Sequence, residues 1–155
     1  MAEKKQNIEI ERKFLVTSEA YKALATCHYN IVQGYLAKGN GRTVRVRIRD
    51  NKAFLTIKGG VLEGQRLARF EWEKEIDVAD AKELLQLALP GWIEKTRWIV
   101  PADNELAWEI DEFHGRLEGR TLAEIELKNE NQTFSKPDFI GEEVTGQPEY
   151  YNANM

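Results

Sequence analysis

Cysteine is almost missing from this chain. Cys27 stands alone among 155 residues, which excludes an internal disulfide and a thiolate cluster for zinc. Histidine is nearly as scarce, with His28 and His114 too few for an imidazole metal site. No stretch approaches the roughly 18 apolar residues that cross a bilayer, and "MAEKKQN" lacks the apolar run of a secretion signal. A reducing cytoplasm is therefore the expected compartment, with no membrane partner. The formal net charge of −4 argues against DNA, because a nucleic-acid footprint is basic. No low-complexity tract, solenoid repeat or linker divides the chain, so one domain over 1–155 is expected, long enough to bury a real core. With thiols and imidazoles excluded, any bound metal rests on carboxylates, which suits hard ions such as magnesium or manganese.

What the sequence does hold is charge, 31% of its residues, laid out with the period of a β-strand. Strands are expected at 8–16, 31–36, 43–50, 53–59, 68–77, 93–100, 106–113 and 120–128. Turn signals such as "KGNGR" (38–42), "DNK" (50–52) and "PADNE" (101–105) separate several of them. Such short connections favour antiparallel hairpins. One helix is expected from Thr17 or Ser18 through "EAYKALA", since both are good N-caps. A second is "VADAKELLQLAL" after Asp77, which stops at Pro90-Gly91. The fold class is mainly β within α+β, an eight-stranded antiparallel barrel with a few helices outside. Residues 129–155 read as loops with a short helix packed on the barrel. Cys27 reads as a small packing residue, with no paired base to make it a nucleophile. His114, beside Gly115, reads as a turn residue.

A charged row on one strand is ordinarily a wet sheet face. Here the rows recur on strand after strand: Glu9, Glu11 and Lys13; Arg45, Arg47 and Arg49; Glu71, Glu73 and Glu75; Glu109 and Asp111; Glu124 and Glu126. Lys58, Lys95 and Arg97 add single cations. Side chains on one strand face repeat about every 6.5–7 Å, a ladder along which a chain of phosphates can lie. Cations alone would hold such an anion, whereas carboxylates beside them would repel it unless a divalent cation intervenes. The Glu-x-Glu pairs Glu9/Glu11 and Glu124/Glu126 offer oxygen ligands of the kind magnesium takes while keeping several waters. The mixed inventory therefore predicts a metal and a polyanion together, in a wet tunnel, with Ile8 and Ile10 turned to the outer packing layer.

The opening "IEIERKFLV" resembles the first strand of the CYTH superfamily, the triphosphate tunnel metalloenzymes. The resemblance continues in order through "QGYL" (33–36), "RVR" (45–47), "TIKG" (56–59), "FEWEKEID" (70–77), "EKTRW" (94–98), "WEIDEFHG" (108–115), "LAEIEL" (122–127), "GEEVT" (141–145) and "YYN" (150–152). It implies a closed tunnel of eight antiparallel strands that acts on triphosphates with Mg2+ or Mn2+. It also implies metal ligation by Glu9, Glu11, Asp111, Glu124 and Glu126. Lys13, Arg45, Arg47, Lys58, Lys95 and Arg97 would form a phosphate clamp, Glu73 would line the tunnel, and Tyr35 would reach phosphate or water. Arg49 and Arg69 share the parity of the site residues and are expected either at a tunnel mouth or paired with neighbouring acids.

The expected activity is hydrolysis of a triphosphate-containing small molecule, with inorganic tripolyphosphate the leading substrate and water activated by a second metal or by a tunnel lysine, Lys58 or Lys95. The alternatives are cyclisation of ATP to cyclic AMP, hydrolysis of thiamine triphosphate, and a non-catalytic polyphosphate-binding module. Thiamine calls for an aromatic platform at the mouth, and strand parity turns Trp72 away from the charged row. A monomer or a homodimer is expected.

Overall fold

The alternation of β-branched or aromatic residues with charge sets each strand's two faces, and the fold follows from which face is turned inward. The computed structural model describes residues 7–155; the reading of the opening "MAEKKQ" lies outside them. The strands are β1 (Ile8–Val16), β2 (Cys27–Gly39), β3 (Arg42–Arg49), β4 (Lys52–Val61), β5 (Ala68–Ile76), β6 (Ile93–Pro101), β7 (Ala107–His114), β8 (Thr121–Glu126) and β9 (Ile140–Glu143). Two α-helices are present among the described residues, α1 (Tyr21–Leu24) and α2 (Val78–Leu85), besides short 3-10 turns. Every pairing is antiparallel, in the order β5-β4-β3-β2-β6-β7-β8-β1, and β1 closes on β5 to complete an eight-stranded barrel.

The seam is shared along β1. Its first residues pair with β5, Glu9 opposite Arg69, while its last pair with β9, Phe14 opposite Glu143 and Val16 opposite Ile140. A strand that lost its neighbour halfway would expose unpaired backbone groups, and β9 supplies partners there. Residues 129–155, read as loops with a short helix, thus contain a strand. "IGEE" is too short and too polar to register by periodicity, and it forms because β1 offers it an edge.

The apolar core lies outside the barrel. The outward row of β1 (Ile10, Phe14) packs with Trp108 and Ile110 of β7, Ala123 and Ile125 of β8, Tyr21 of α1, and Phe134 and Phe139 from the long segment before β9. A second outer cluster joins Val46 of β3, Ala53 of β4, and Ala81 and Leu85 of α2. Gly34 makes the second contact possible. A Cβ there would stand 2.9 Å from Ala88 Cβ and 3.1 Å from Leu85 Cδ2, so any side chain would push α2 and the turn after it off the sheet.

Several boundaries differ from the expected ones. β2 runs well beyond 31–36 at both ends, where polar residues hid its extent. α1 is a single turn. Thr17 does not cap it: its N–H donates to Phe139 O (2.8 Å) and its hydroxyl to Asp138 O (3.3 Å), pinning the segment before β9. α2 ends at Leu85, because the chain turns back to let Leu89 N–H donate to Tyr35 O (2.8 Å). Cys27, read as a packing residue, is exposed at the start of β2, with Tyr29 Oη 3.8 Å from its Sγ. His114 ends β7, and its Nε2 lies 2.8 Å from the Thr96 hydroxyl. No helix among the described residues is long and apolar enough to cross a membrane.

Trp108 is fully buried, edge-on to Phe14 and Phe134, in the outer core. Trp108→Ala is expected to lower unfolding stability by about 3–5 kcal/mol. Urea denaturation checks this, and a loss below about 0.5 kcal/mol, typical of a surface position, would contradict the placement of the core.

Candidate active site

Inverting the faces leaves the barrel's inside to the charged rows. They line a cavity of about 620 Å³ that includes Glu9, Glu11 and Lys13 of β1, Arg45, Arg47 and Arg49 of β3, Lys58 of β4, Arg69, Glu71 and Glu73 of β5, Lys95 and Arg97 of β6, Glu109 of β7, and Glu124 and Glu126 of β8. Tyr35, Thr56 and the chain's Tyr151 and Asn152 also reach it. Ten lysines and arginines line this space against seven glutamates, so the lining is net positive inside a protein of net charge −4. The same inward rows become apolar toward one end. Leu15 and Phe113 follow the charged residues of β1 and β7, Ile93 and Leu122 precede those of β6 and β8, and the four pack with Tyr35, Tyr150, Ala153 and Met155.

Many of these charges have a local partner, as burial requires. Lys58 Nζ donates to Glu9 Oε1 (3.0 Å) and Oε2 (2.8 Å) and stands 3.6 Å from Glu71. Lys13 Nζ bonds Glu124 and sits 4.9 Å from the centre of the Tyr151 ring. Arg97 grips Asp111 with two bonds, Nε to Oδ1 (2.8 Å) and Nη2 to Oδ2 (2.9 Å), and reaches Glu109 at 3.1 Å. Lys95 Nζ donates to Asp111 Oδ2 (2.8 Å) and to Asn152 Oδ1 (2.8 Å). Thr56 bridges Arg45 and Glu73, accepting from Arg45 Nη2 at 3.3 Å and donating to Glu73 Oε2 at 2.8 Å. Arg45 Nε is buried with no hydrogen-bond partner among the described residues. An orphaned donor on a cavity-lining arginine is costly until an acceptor arrives.

The acids and bases are tuned by this packing. Burial raises the Glu9 carboxyl, but Lys58 outweighs it and brings the group down to about 2. Glu124 lies well below the carboxylate range for the same reason, with Lys13 and Arg97 overcoming burial. Glu11 goes the other way: burial and the nearby Glu124 and Glu9 charges push its carboxyl well above the ordinary value. Burial lowers Lys95, and Arg97 and Arg47 add to this beyond what Asp111 restores, leaving it at about 7. Burial also lowers Arg47, with Arg45 and Arg97 beside it, to about 9. Lys58 moves upward, because Glu9 and Glu11 outweigh its burial.

Among the described residues no three carboxylate, imidazole or thiolate groups converge as a closed metal cage. The donor set nonetheless fits a hard divalent ion. Glu11 and Glu126 face each other across the β1–β8 ladder, Glu124 follows opposite Lys13, and the burial and neighbouring carboxylates that raise the Glu11 carboxyl set a cost that a cation would relieve. Magnesium takes one or two carboxylates and keeps its waters, so it needs no closed cage.

The residues singled out from sequence therefore share one cavity, except Glu75, which is exposed near the end of β5, and Asp111. Asp111 is buried behind the lining with both oxygens engaged by Arg97 and Lys95. Reading by strand parity missed Gln33 and Asn152. Gln33 carries no charge to mark a row, and Asn152 comes from a stretch without periodicity.

Asp111 titrates at about 2 in the fold against an ordinary 3.8, because Arg97 and Lys95 outweigh its burial. Its contribution is thus present above the ordinary value and is lost as pH falls through the folded one. Asp111→Asn is expected to cost about 3–5 kcal/mol at neutral pH, by leaving two buried cations unpaired. It should also flatten the loss of stability between the two values. Acid titrations of unfolding free energy that superimpose for both proteins would contradict this.

The comparisons with known proteins agree with this geometry. The CYTH domain model matches residues 7–153. The chain is 45% identical over 149 residues to the inorganic triphosphatase of Acetivibrio thermocellus, covering 95% of this chain and 92% of that one. It is 35% identical over 147 residues to the inorganic triphosphatase of Nitrosomonas europaea, covering 93% of each. Among solved structures, the inorganic triphosphatase NE1496 superposes with a TM-score of 0.64 at 31% identity, over 94% of this chain and 92% of that one. A putative adenylyl cyclase from Hippeastrum, described as having a dominant triphosphatase activity, shares the fold at 17% identity and a TM-score of 0.61, over 78% and 80% of the two chains.

Proposed function

The chain belongs to the CYTH family, and on that premise we propose that it hydrolyses inorganic tripolyphosphate to pyrophosphate and phosphate with Mg2+ or Mn2+. The observation that carries this reading is the net-positive lining with the orphaned Arg45 Nε, set in an acidic protein. Such a lining attracts a polyanion, and the ladder of inward side chains matches a chain of phosphates better than a compact anion.

The residues divide the work by charge. Arg45, Arg47, Arg97, Lys13 and Lys58 hold the phosphate oxygens and neutralise the charge that builds as the bridging P–O bond breaks. Glu9, Glu11, Glu124 and Glu126 would hold the divalent ion, which supplies further charge neutralisation at the phosphate chain. Asp111 fixes Arg97 and Lys95 from behind, a supporting role in place of direct metal ligation. Tyr35 and Glu73 line the phosphate path, where the phenol can donate a hydrogen bond. Lys58, held as an ammonium by Glu9 and Glu11, serves as a clamp. Lys95, lowered to about 7, is the lysine able to take a proton from the attacking water near neutral pH.

A phosphate-release panel with tripolyphosphate, pyrophosphate, ATP and thiamine triphosphate, each with magnesium, manganese or calcium, tests the reading. Tripolyphosphate with magnesium or manganese is expected to be cleaved fastest, and chelation by EDTA to stop turnover. Glu124→Gln with Glu126→Gln should lower metal-dependent turnover by on the order of 100-fold. Cyclic AMP as the main product from ATP and manganese, or tight tripolyphosphate binding without phosphate release, would overturn it.

A further inference from the structure

The inner face of β2 and the last turn of the chain meet in a hydrogen-bond network that the charged rows do not account for. Arg47 Nε donates to Gln33 Oε1 (2.9 Å), Gln33 Nε2 donates to Asn152 Oδ1 (3.0 Å), and Lys95 Nζ donates to the same oxygen (2.8 Å). The direction of each bond is forced. A guanidinium can only donate, so Gln33 must present its oxygen to Arg47 and its amide nitrogen to Asn152. Asn152 must then present Oδ1, which a lysine amine also requires. Gln33 and Lys95 are almost wholly buried, so neither can turn to bulk water for a substitute.

Asn152 is itself held firmly. Lys38 Nζ donates to Ala153 O (2.8 Å), Asn154 Nδ2 to Pro148 O (2.9 Å), and Gly146 N–H to Tyr151 Oη (2.8 Å). Tyr150, Ala153 and Met155 pack into the apolar end of the barrel with Ile93 and Leu122. The Asn152 carbonyl is thus a fixed point supplied from outside the barrel strands.

We propose that Asn152 is a positioning residue. Its Oδ1 ties Lys95 of β6 to Gln33 of β2 and, through Gln33, to Arg47 of β3, so three neighbouring strands present their side chains to the phosphate chain in one arrangement. Without it, Lys95 keeps Asp111 as its only hydrogen-bond acceptor among the described residues and is drawn back from the cavity, while Gln33 loses the acceptor that orients it toward Arg47. The kinetic part of this inference rests on the triphosphatase reading; the network itself does not.

The test compares Asn152→Leu, close in shape but without an acceptor, with Asn152→Gln, which keeps a neutral amide acceptor. With tripolyphosphate and magnesium, N152L should lower kcat/KM by on the order of 10–100-fold, and N152Q should lower it less. In a Lys95→Met background N152L should cost less, since one of the two groups it serves is gone. The side-chain nitrogen resonance of Lys95, assigned by its disappearance in K95M, gives a readout independent of turnover. It should shift in N152L and lie closer to its wild-type position in N152Q. Gln33→Leu cuts the same network from within a strand and replaces N152L if that variant does not fold. An unshifted Lys95 resonance overturns the network, and a shifted resonance with full kcat/KM overturns its part in catalysis. A wild-type protein that releases no phosphate overturns the triphosphatase reading, and the resonance then decides the network alone.

Discussion

The fold depends on the neutralisation of charges turned into a barrel. An unpaired carboxylate or ammonium in that position would cost several kcal/mol, so inward carboxylates find cations on neighbouring strands. Glu9 meets Lys58, Glu124 meets Lys13 and Arg97, and Asp111 meets Arg97 and Lys95. Because the interior is committed to charge, the hydrophobic core has to form elsewhere. Phe14, Trp108, Ile110 and Ile125 build it on the outside, under α1 and the segment leading to β9, and Val46 and Ala53 build a second one under α2.

This arrangement leaves two imbalances, and both point to ligands. On the basic side, cations outnumber carboxylates around the cavity and Arg45 Nε has no acceptor among the described residues. On the acidic side, Glu11 is buried among other carboxylates, and its burial and their charge push its proton affinity up. A polyanion answers the first and a divalent cation the second. Neither alone satisfies the site, which is why a plain phosphate-binding module or a plain metal site explains less of the lining.

Much of this was legible in the sequence, since strand parity couples the two faces. "IEIERKFLV" and "TVRVRIR" declare a charged face and an apolar face, and the recurrence of such rows tells that the charged faces meet. The site residues taken from those rows share the cavity. Legibility ended where placement depends on tertiary contact. β9 exists because half of β1 lacks a neighbour, Thr17 anchors a distant segment in place of capping a helix, and Cys27 is exposed where its residue type suggested packing. Asp111 shows the limit within a row: parity turned it inward, but only coordinates show its two oxygens already taken by Arg97 and Lys95. Gln33 and Asn152 are neutral amides, and no periodic signal distinguishes such a residue from a solvated one.

The central claim is that the inward rows hold a metal and a phosphate chain side by side. Anomalous scattering from a crystal grown with manganese and tripolyphosphate measures this directly. The account predicts manganese against Glu9, Glu11, Glu124 and Glu126, with the phosphates running along Arg45, Arg47 and Arg97. Manganese and tripolyphosphate bound only on the outer surface, with the interior ion pairs intact, would contradict it.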